Sequence, residues 1–134
     1  MRGTVSCVGY LAHSFDLINV HDLDLIAQAR QHCSRLVVGV YSDEFVLAST
    51  GRQPVIPLVE RLALVSHVRG VDEAIVHGTD AAPSGPDVVI FVERAREPED
   101  EARDPQPVVR LEAPRESESA VLRHALQPLG EAVA

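Results

Sequence analysis

HSFDLINVHDLDLI, residues 13–26, has the outline of a phosphate-binding turn that runs into a helix. Before it lies Thr4 to Tyr10 (TVSCVGY), a short apolar run with β-branched residues that reads as a first strand. After the turn, His21 to Cys33 (HDLDLIAQARQHC) puts Leu23, Leu25, Ile26 and Ala29 on one helical face. A helix N-terminus at the end of a strand is a ready site for an anion. The polar residues fit that use poorly. Asp22 places a carboxylate where an anionic ligand would want a donor.

Outward from this turn, strands and helices alternate. Arg35 to Tyr41 (RLVVGVY) is continuously apolar, as in a strand buried on both sides. SDEFVLAS opens with a capping serine and two acids, a helix start. TGRQPVIP holds a glycine and prolines and reads as a loop. Pro57 suits the first turn of the next helix, whose Leu58, Leu62, Val65 and Val68 share a face and which should end at Gly70. Asp72 to Val76 is a short strand, GTDAAPSGP a turn-rich loop and Asp87 to Val92 another buried strand. ERAREPEDEARDPQ, residues 93–106, is charged and poor in large apolar residues, so we read it as a mobile acidic surface loop. VVRLEA is a last strand and ESESAVLRHALQPL a last helix. The pattern predicts an α/β fold: a Rossmann-like parallel sheet with helices on both faces. Ligands in such sheets bind at the carboxyl ends of the strands, where the strand order reverses.

The length of 134 residues fits one domain over residues 1–134, and 46% hydrophobic residues suffice for a core. The net charge of −8 and the lack of a basic patch argue against a nucleic-acid partner. All 12 basic residues are arginine, so no mechanism that needs a lysine can run on this chain. No apolar run approaches the ~18 residues of a membrane span, and the N-terminus does not resemble a signal peptide. Cys7 and Cys33 are far apart and read as reduced, buried thiols of a cytoplasmic protein.

The chain resembles the cytidylyltransferase-like nucleotidyltransferases, most closely the glycerol-3-phosphate cytidylyltransferase group. Members carry G-[TV]-F-D-L-x-H-x-G-H-L-x-L-L in the first turn. Here Phe15, Asp16, Leu17, Leu23, Leu25 and Ile26 fall in register with it without a gap. Further on, Ser42-Asp43-Glu44-Phe45, Pro54-Val55, Glu60-Arg61 and Val71-Asp72-Glu73 keep family positions. The resemblance covers roughly the first 80 residues well and the rest loosely. It implies transfer of a nucleotidyl group from CTP to a phosphorylated alcohol, with release of pyrophosphate and usually with Mg2+. The acceptor phosphate attacks the α-phosphorus in line, so the protein supplies position and positive charge. It also implies nucleotide-binding roles for Ser14, Phe15, Asn19, His21, Arg61, Arg115, Ser117 and Ser119, and a homodimer or pairing with an active relative.

The working positions differ from the family pattern. Asn19, Val20, His21 and Asp22 stand where the family has H-x-G-H. Asn19 can donate but is never cationic, and His21 adds a side chain where glycine allows close approach. Asp22 replaces a phosphate donor with an acceptor. A unit charge at about 4 Å repels a like charge by ~1 kcal/mol in water and roughly 4 kcal/mol near a protein surface. His13 replaces a glycine, and the family's lysine near Ser49 has only Arg52 as a substitute. The family's K-G-D-D-W reads Phe91 to Ala95 here. Its R-T-x-G-I-S-T-T is shortened to Arg115-Glu116-Ser117-Glu118-Ser119.

Each of these residues has a plainer reading. Asn19 reads first as a helix N-cap. His13, Asp16, His21 and Asp22 match no familiar metal-ligand spacing, so no metal site is expected among them. His13 and His21 could pair with acids; Arg61 could reach a ligand or lie solvated beside Glu60; Arg115 could pair with Glu116 or Glu118. His32, His67, His77 and His124 read as surface or packing residues. No catalytic residue is assigned with Asn19, His21 and Asp22 in the motif. The chain reads as a family member that has lost the reaction and serves as a binding or assembly module. The competing reading is an active transferase using CTP or ATP, in which Asn19, His21, Arg52 and Arg115 replace the usual donors.

Overall fold

The computed structural model describes residues 7–93, 107–112 and 119–126. In chain order the elements are β1 (Val8–His13), α1 (Val20–Gln31), β2 (Arg35–Tyr41), α2 (Asp43–Thr50), α3 (Leu58–Ser66), β3 (Glu73–His77), β4 (Val88–Glu93), β5 (Val108–Leu111) and α4 (Ser119–Leu126). The strands form one sheet in the order β3-β2-β1-β4-β5. Every pairing is parallel, with Leu11 beside Val38 on one side and Phe91 on the other. The order reverses between β1 and β4, which makes the crevice at their carboxyl ends the natural ligand site of this α/β fold.

The continuous apolar run of β2 has the reason expected of it. Leu36, Val38 and Val40 face the main core, and Val37 faces a second cluster with Tyr10 and Ile75. The main core joins Leu25, Ile26 and Ala29 of α1 and Val65 of α3 to Leu11, Phe91 and Leu111 of the sheet. Truncating one of these, such as Leu25→Ala, should cost ~2–5 kcal/mol. Two glycines let large rings cross between strands. A Cβ on Gly9 would overlap the Phe91 ring, and one on Gly39 would overlap the Tyr10 hydroxyl.

Several boundaries differ from the sequence reading. β1 runs on to His13, because Leu11, Ala12 and His13 find ladder partners in Val38, Gly39 and Val40. The buried face of α1 is turned by one position. Leu23 is exposed, and Asp22 lies buried with Leu25, Ile26 and Ala29. α3 ends at Ser66, not at Gly70. His67 closes it, its backbone N–H reaching the Leu64 and Val65 carbonyls, and Gly70 serves a turn beyond at φ 99°. β3 and β4 are each shifted one residue onward, to Glu73–His77 and Val88–Glu93. Glu93, expected to open the acidic loop, is therefore the last residue of β4; the rest of that loop, residues 94–106, lies outside the described residues. β5 stops at Leu111, and residues 119–126 of the last expected helix are helical. Both cysteines are free thiols; Cys33 is buried as expected, and Cys7 only partly so. Burial pushes the Cys33 thiol above its ordinary pKa.

Candidate functional site

The turn between β1 and α1 is strained. Phe15 and Leu17, neither a glycine, have φ of 53° and 57°. Each such residue costs on the order of 1–2 kcal/mol and persists only when its surroundings enforce it. Asp16 supplies one part of that enforcement. It is fully buried, and its two oxygens accept from the backbone N–H groups of Val55 (2.8 Å) and Ile56 (2.9 Å). The Phe15 side chain is buried in the main core, so only its backbone could meet a ligand.

Arg61 supplies the other part. Its position on the apolar stripe of α3, three residues after Leu58 and four before Val65, takes it inside. It is 0% exposed. Nε donates to the Ile56 carbonyl, Nη1 donates to the Ser14 and Tyr41 carbonyls, and Nη2 donates to Asp43 Oδ1, at 2.6–2.7 Å. Arg61 thus ties the turn to the end of β2, the start of α2 and the loop before α3. The expectation that it reaches a ligand is corrected by this burial: its guanidinium is spent on protein acceptors.

The N-terminus of α1 is closed by its own residues. Asn19 is the N-cap, and its Oδ1 accepts from the backbone N–H groups of His21 (2.9 Å) and Asp22 (3.4 Å). Asp22 Oδ2 accepts from the Asn19 backbone N–H at 3.3 Å, completing a capping box. The Asn19 amide donates to the Leu17 carbonyl. Asp22 is 2% exposed, and its N3 position puts its carboxylate at the positive end of the helix dipole. The donors that a phosphate would use at this helix end meet acceptors of the chain instead.

His21 points the other way, across the crevice. Its Nε2 lies 2.8 Å from Glu93 Oε2 at the end of β4. His13 Nε2 lies 3.8 Å from Glu93 Oε1. All three side chains are roughly a quarter to a third exposed. An aromatic row continues along the same sheet edge: His13 stacks on Tyr41 (6.4 Å, 9°), Tyr41 meets Phe45 (4.5 Å) and Phe45 meets His77 edge-on (5.4 Å). The Tyr10 hydroxyl lies 2.7 Å from His77 Nδ1. Burial, and then the charges of Tyr41 and Asp80, push the Tyr10 phenol up to about 12.

Of the residues expected at the site, Ser14, Phe15, Asn19, His21 and Asp22 gather at this edge, and Arg61 lies beneath them. Arg115 and Ser117 lie outside the described residues, and Ser119 is described only in the backbone of α4. Ser49 donates its hydroxyl to the Phe45 carbonyl, and the Arg52 backbone N–H donates to Thr50 Oγ1. Sequence reading assigns no site role to Tyr41, Asp43 or His77, and Glu93 enters only within the run Phe91 to Ala95 that stands where the family has K-G-D-D-W. All but Asp43 end a strand at its carboxyl end, the one signal that could have found them. Among the described residues, no group of three or more His, Cys, Asp or Glu could hold a metal ion. Asp16 and Asp22 each accept hydrogen bonds from backbone N–H groups.

A parallel sheet with this strand order and this turn defines an α/β Rossmann-like nucleotidyltransferase fold. The chain belongs to the cytidylyltransferase-like family, whose model matches residues 11–84. It is 42% identical over 66 residues to an ethanolamine-phosphate cytidylyltransferase of Arabidopsis thaliana, covering 49% of this chain and 15% of that protein. It is 35% identical over 74 residues to the bifunctional protein HldE of Gluconacetobacter diazotrophicus, covering 54% of this chain and 15% of that protein. The chain thus aligns with only a small part of these longer relatives. In the fold it resembles the crystal structure of a lipopolysaccharide core biosynthesis protein from Thermoplasma volcanium, with a TM-score of 0.64 and 20% identity, covering 83% of this chain and 98% of that one. Among the described residues no helix is long and apolar enough to cross a membrane.

Proposed function

We propose that this cytidylyltransferase-like domain does not transfer nucleotides and works as a binding or assembly module, paired with itself or with an active relative. The capping box carries this reading. Asn19 and Asp22 satisfy the N-terminus of α1 from within, and Asp22 buries a carboxylate at the helix end that an anionic ligand would otherwise use. Losing one donor to a developing charge costs ~2.7–4 kcal/mol of transition-state stabilisation. Exposed Val121, Leu122 and Leu126 on the short helix α4 suit a contact with a second chain.

The test is thermal unfolding with CTP or ATP and magnesium, alongside pyrophosphate release with a panel of phosphorylated alcohols that includes ethanolamine phosphate. The reading expects no release and no stabilisation at millimolar nucleotide. Release that Arg115→Ala abolishes would overturn it. One observation favours the second reading, an active CTP- or ATP-dependent transferase. The strained turn at Phe15 and Leu17 is kept at the cost of local energy, as strained backbone often is at working sites. In that reaction an acceptor phosphate oxygen bonds to the α-phosphorus as the bond to pyrophosphate breaks.

A further inference from the structure

Cys7 and Cys33 lie far apart in sequence, and the fold brings them side by side at the end of the sheet opposite the candidate site. The Cys7 backbone is fastened to Ser34, the residue after Cys33. Its carbonyl accepts from the Ser34 N–H at 3.0 Å and from the Ser34 hydroxyl at 2.9 Å, and its N–H donates to that hydroxyl at 3.1 Å. The parallel register that sets Val8 beside Arg35 carries back one residue to Cys7 and Ser34. With strands ~4.8 Å apart and ~3.3 Å per residue, the Cys33 Cα lies about 6 Å from that of Cys7, inside the ~4.4–6.8 Å that a disulfide spans. Both side chains turn to the same face. Cys7 packs against the main core, of which Cys33 is part. The Cys33 sulfur sits over Gly9, 2.8 Å from where a Cβ would stand, and Gly9 shares its strand face with Cys7. Both thiols donate to carbonyls at the end of α1, Cys7 to His32 at 3.2 Å and Cys33 to Ala29 at 3.4 Å.

We propose that Cys7 and Cys33 are a redox pair, which a peroxide oxidises to a disulfide that closes a covalent loop over residues 7–33 and braces the β1–α1 turn within it. Cys7 is partly exposed and Cys33 buried, so Cys7 meets the oxidant first. Its sulfur takes one peroxide oxygen as the O–O bond breaks, giving a sulfenic acid and water. The Cys33 sulfur then bonds to the sulfenic sulfur, the S–O bond breaks, and the hydroxyl leaves as water with the Cys33 proton. The two thiols lose two electrons and two protons, and one peroxide becomes two waters. Burial, and then the neighbouring Cys7, hold the Cys33 thiol above its ordinary pKa, which suits a thiol that resolves an intermediate and does not itself meet the oxidant. Reduced, the pair packs the core as small apolar groups. Oxidised, it restricts the unfolded chain around the turn. The pair stands away from the candidate site, so the inference holds whether or not the domain transfers nucleotides.

The test treats the full chain with hydrogen peroxide and reads intact mass, free thiols and a peptide map. The wild type should lose both thiols and the mass of two hydrogen atoms, run as a single chain on a non-reducing gel, and yield a peptide pair joined through Cys7 and Cys33. Dithiothreitol should restore both thiols. In urea the unfolding equilibrium constant should fall on the order of a hundredfold on oxidation. Cys33→Ser should halt at the Cys7 sulfenic acid, which dimedone traps. Cys7→Ser should leave Cys33 reduced under the same treatment; it changes only the partly exposed thiol and stays decisive if Cys33→Ser does not fold. A wild type that keeps its thiols, that adds oxygen to Cys7 while Cys33 stays reduced, or that cross-links only between chains overturns the proposal. So does an oxidised chain no harder to unfold than the reduced one.

Discussion

Two sets of polar residues border the same turn, and they differ in depth and in partners. Asp16 and Arg61 form its floor, fully buried and bonded to backbone groups of distant segments. His13, Asn19, His21, Asp22 and Glu93 form its rim and bond mainly to one another. The floor matches the family residue for residue, and the rim does not. Floor residues answer to folding, because each satisfies backbone groups that burial would otherwise leave unpaired. Rim residues answer to a ligand, and here they answer to each other.

If this contrast is right, the largest effects come from the floor. Arg61→Ala takes the donor from the Ser14, Tyr41 and Ile56 carbonyls, and at ~1–3 kcal/mol for each acceptor left unpaired should cost ~3–5 kcal/mol in urea unfolding. A loss under about 1 kcal/mol would mean that the guanidinium network is not what holds the turn. Asp16→Ala leaves the Val55 and Ile56 N–H groups without their carboxylate, at ~1–3 kcal/mol each, read the same way. In the rim, Asn19→Ala should cost only ~1 kcal/mol, the usual value of an N-cap.

The second core cluster, with Tyr10, Val37 and Ile75, carries a pH dependence of its own. The Tyr10 pKa is raised in the fold to about 12, so the folded protein holds this proton more tightly than the unfolded chain does. Its contribution to stability is full below about pH 10 and is lost as pH rises from about 10 to about 12. Urea midpoints measured from pH 8 to pH 11 should fall at the upper end for the wild type, and the fall should be shallower in Tyr10→Phe. Equal slopes would mean that Tyr10 ionises freely.

How much of this was readable in advance follows the same division. The β2 run, the Ser42 cap and the Asn19 cap are local, and the structure agrees with each. The sequence pattern places the buried face of α1 one position off, because hydrophobicity alone prefers Leu23 to Asp22. The capping box reverses that choice by giving the buried carboxylate a backbone partner. On sequence grounds Arg61 could reach a ligand, lie solvated or sit at an interface, although its spacing puts it on the apolar stripe of α3. A charged residue at such a position is hidden only when acceptors from elsewhere converge on it, and Ser14 and Tyr41 are far away in sequence. Glu93 falls in the run that stands where the family has K-G-D-D-W, but its pairing with His21 is not legible, because it opens a highly charged run and lies 72 residues from that partner.

The central claim is that the rim is closed by the chain's own acceptors. It is tested most directly by thermal unfolding with CTP and magnesium, comparing the wild type with Asn19→His, His21→Gly and Asp22→His combined. The account predicts no nucleotide shift for the wild type. For the triple variant it predicts a gain that approaches ~2.7 kcal/mol once CTP reaches about 100 times its Kd. A wild type that CTP stabilises as strongly as the triple variant would contradict it.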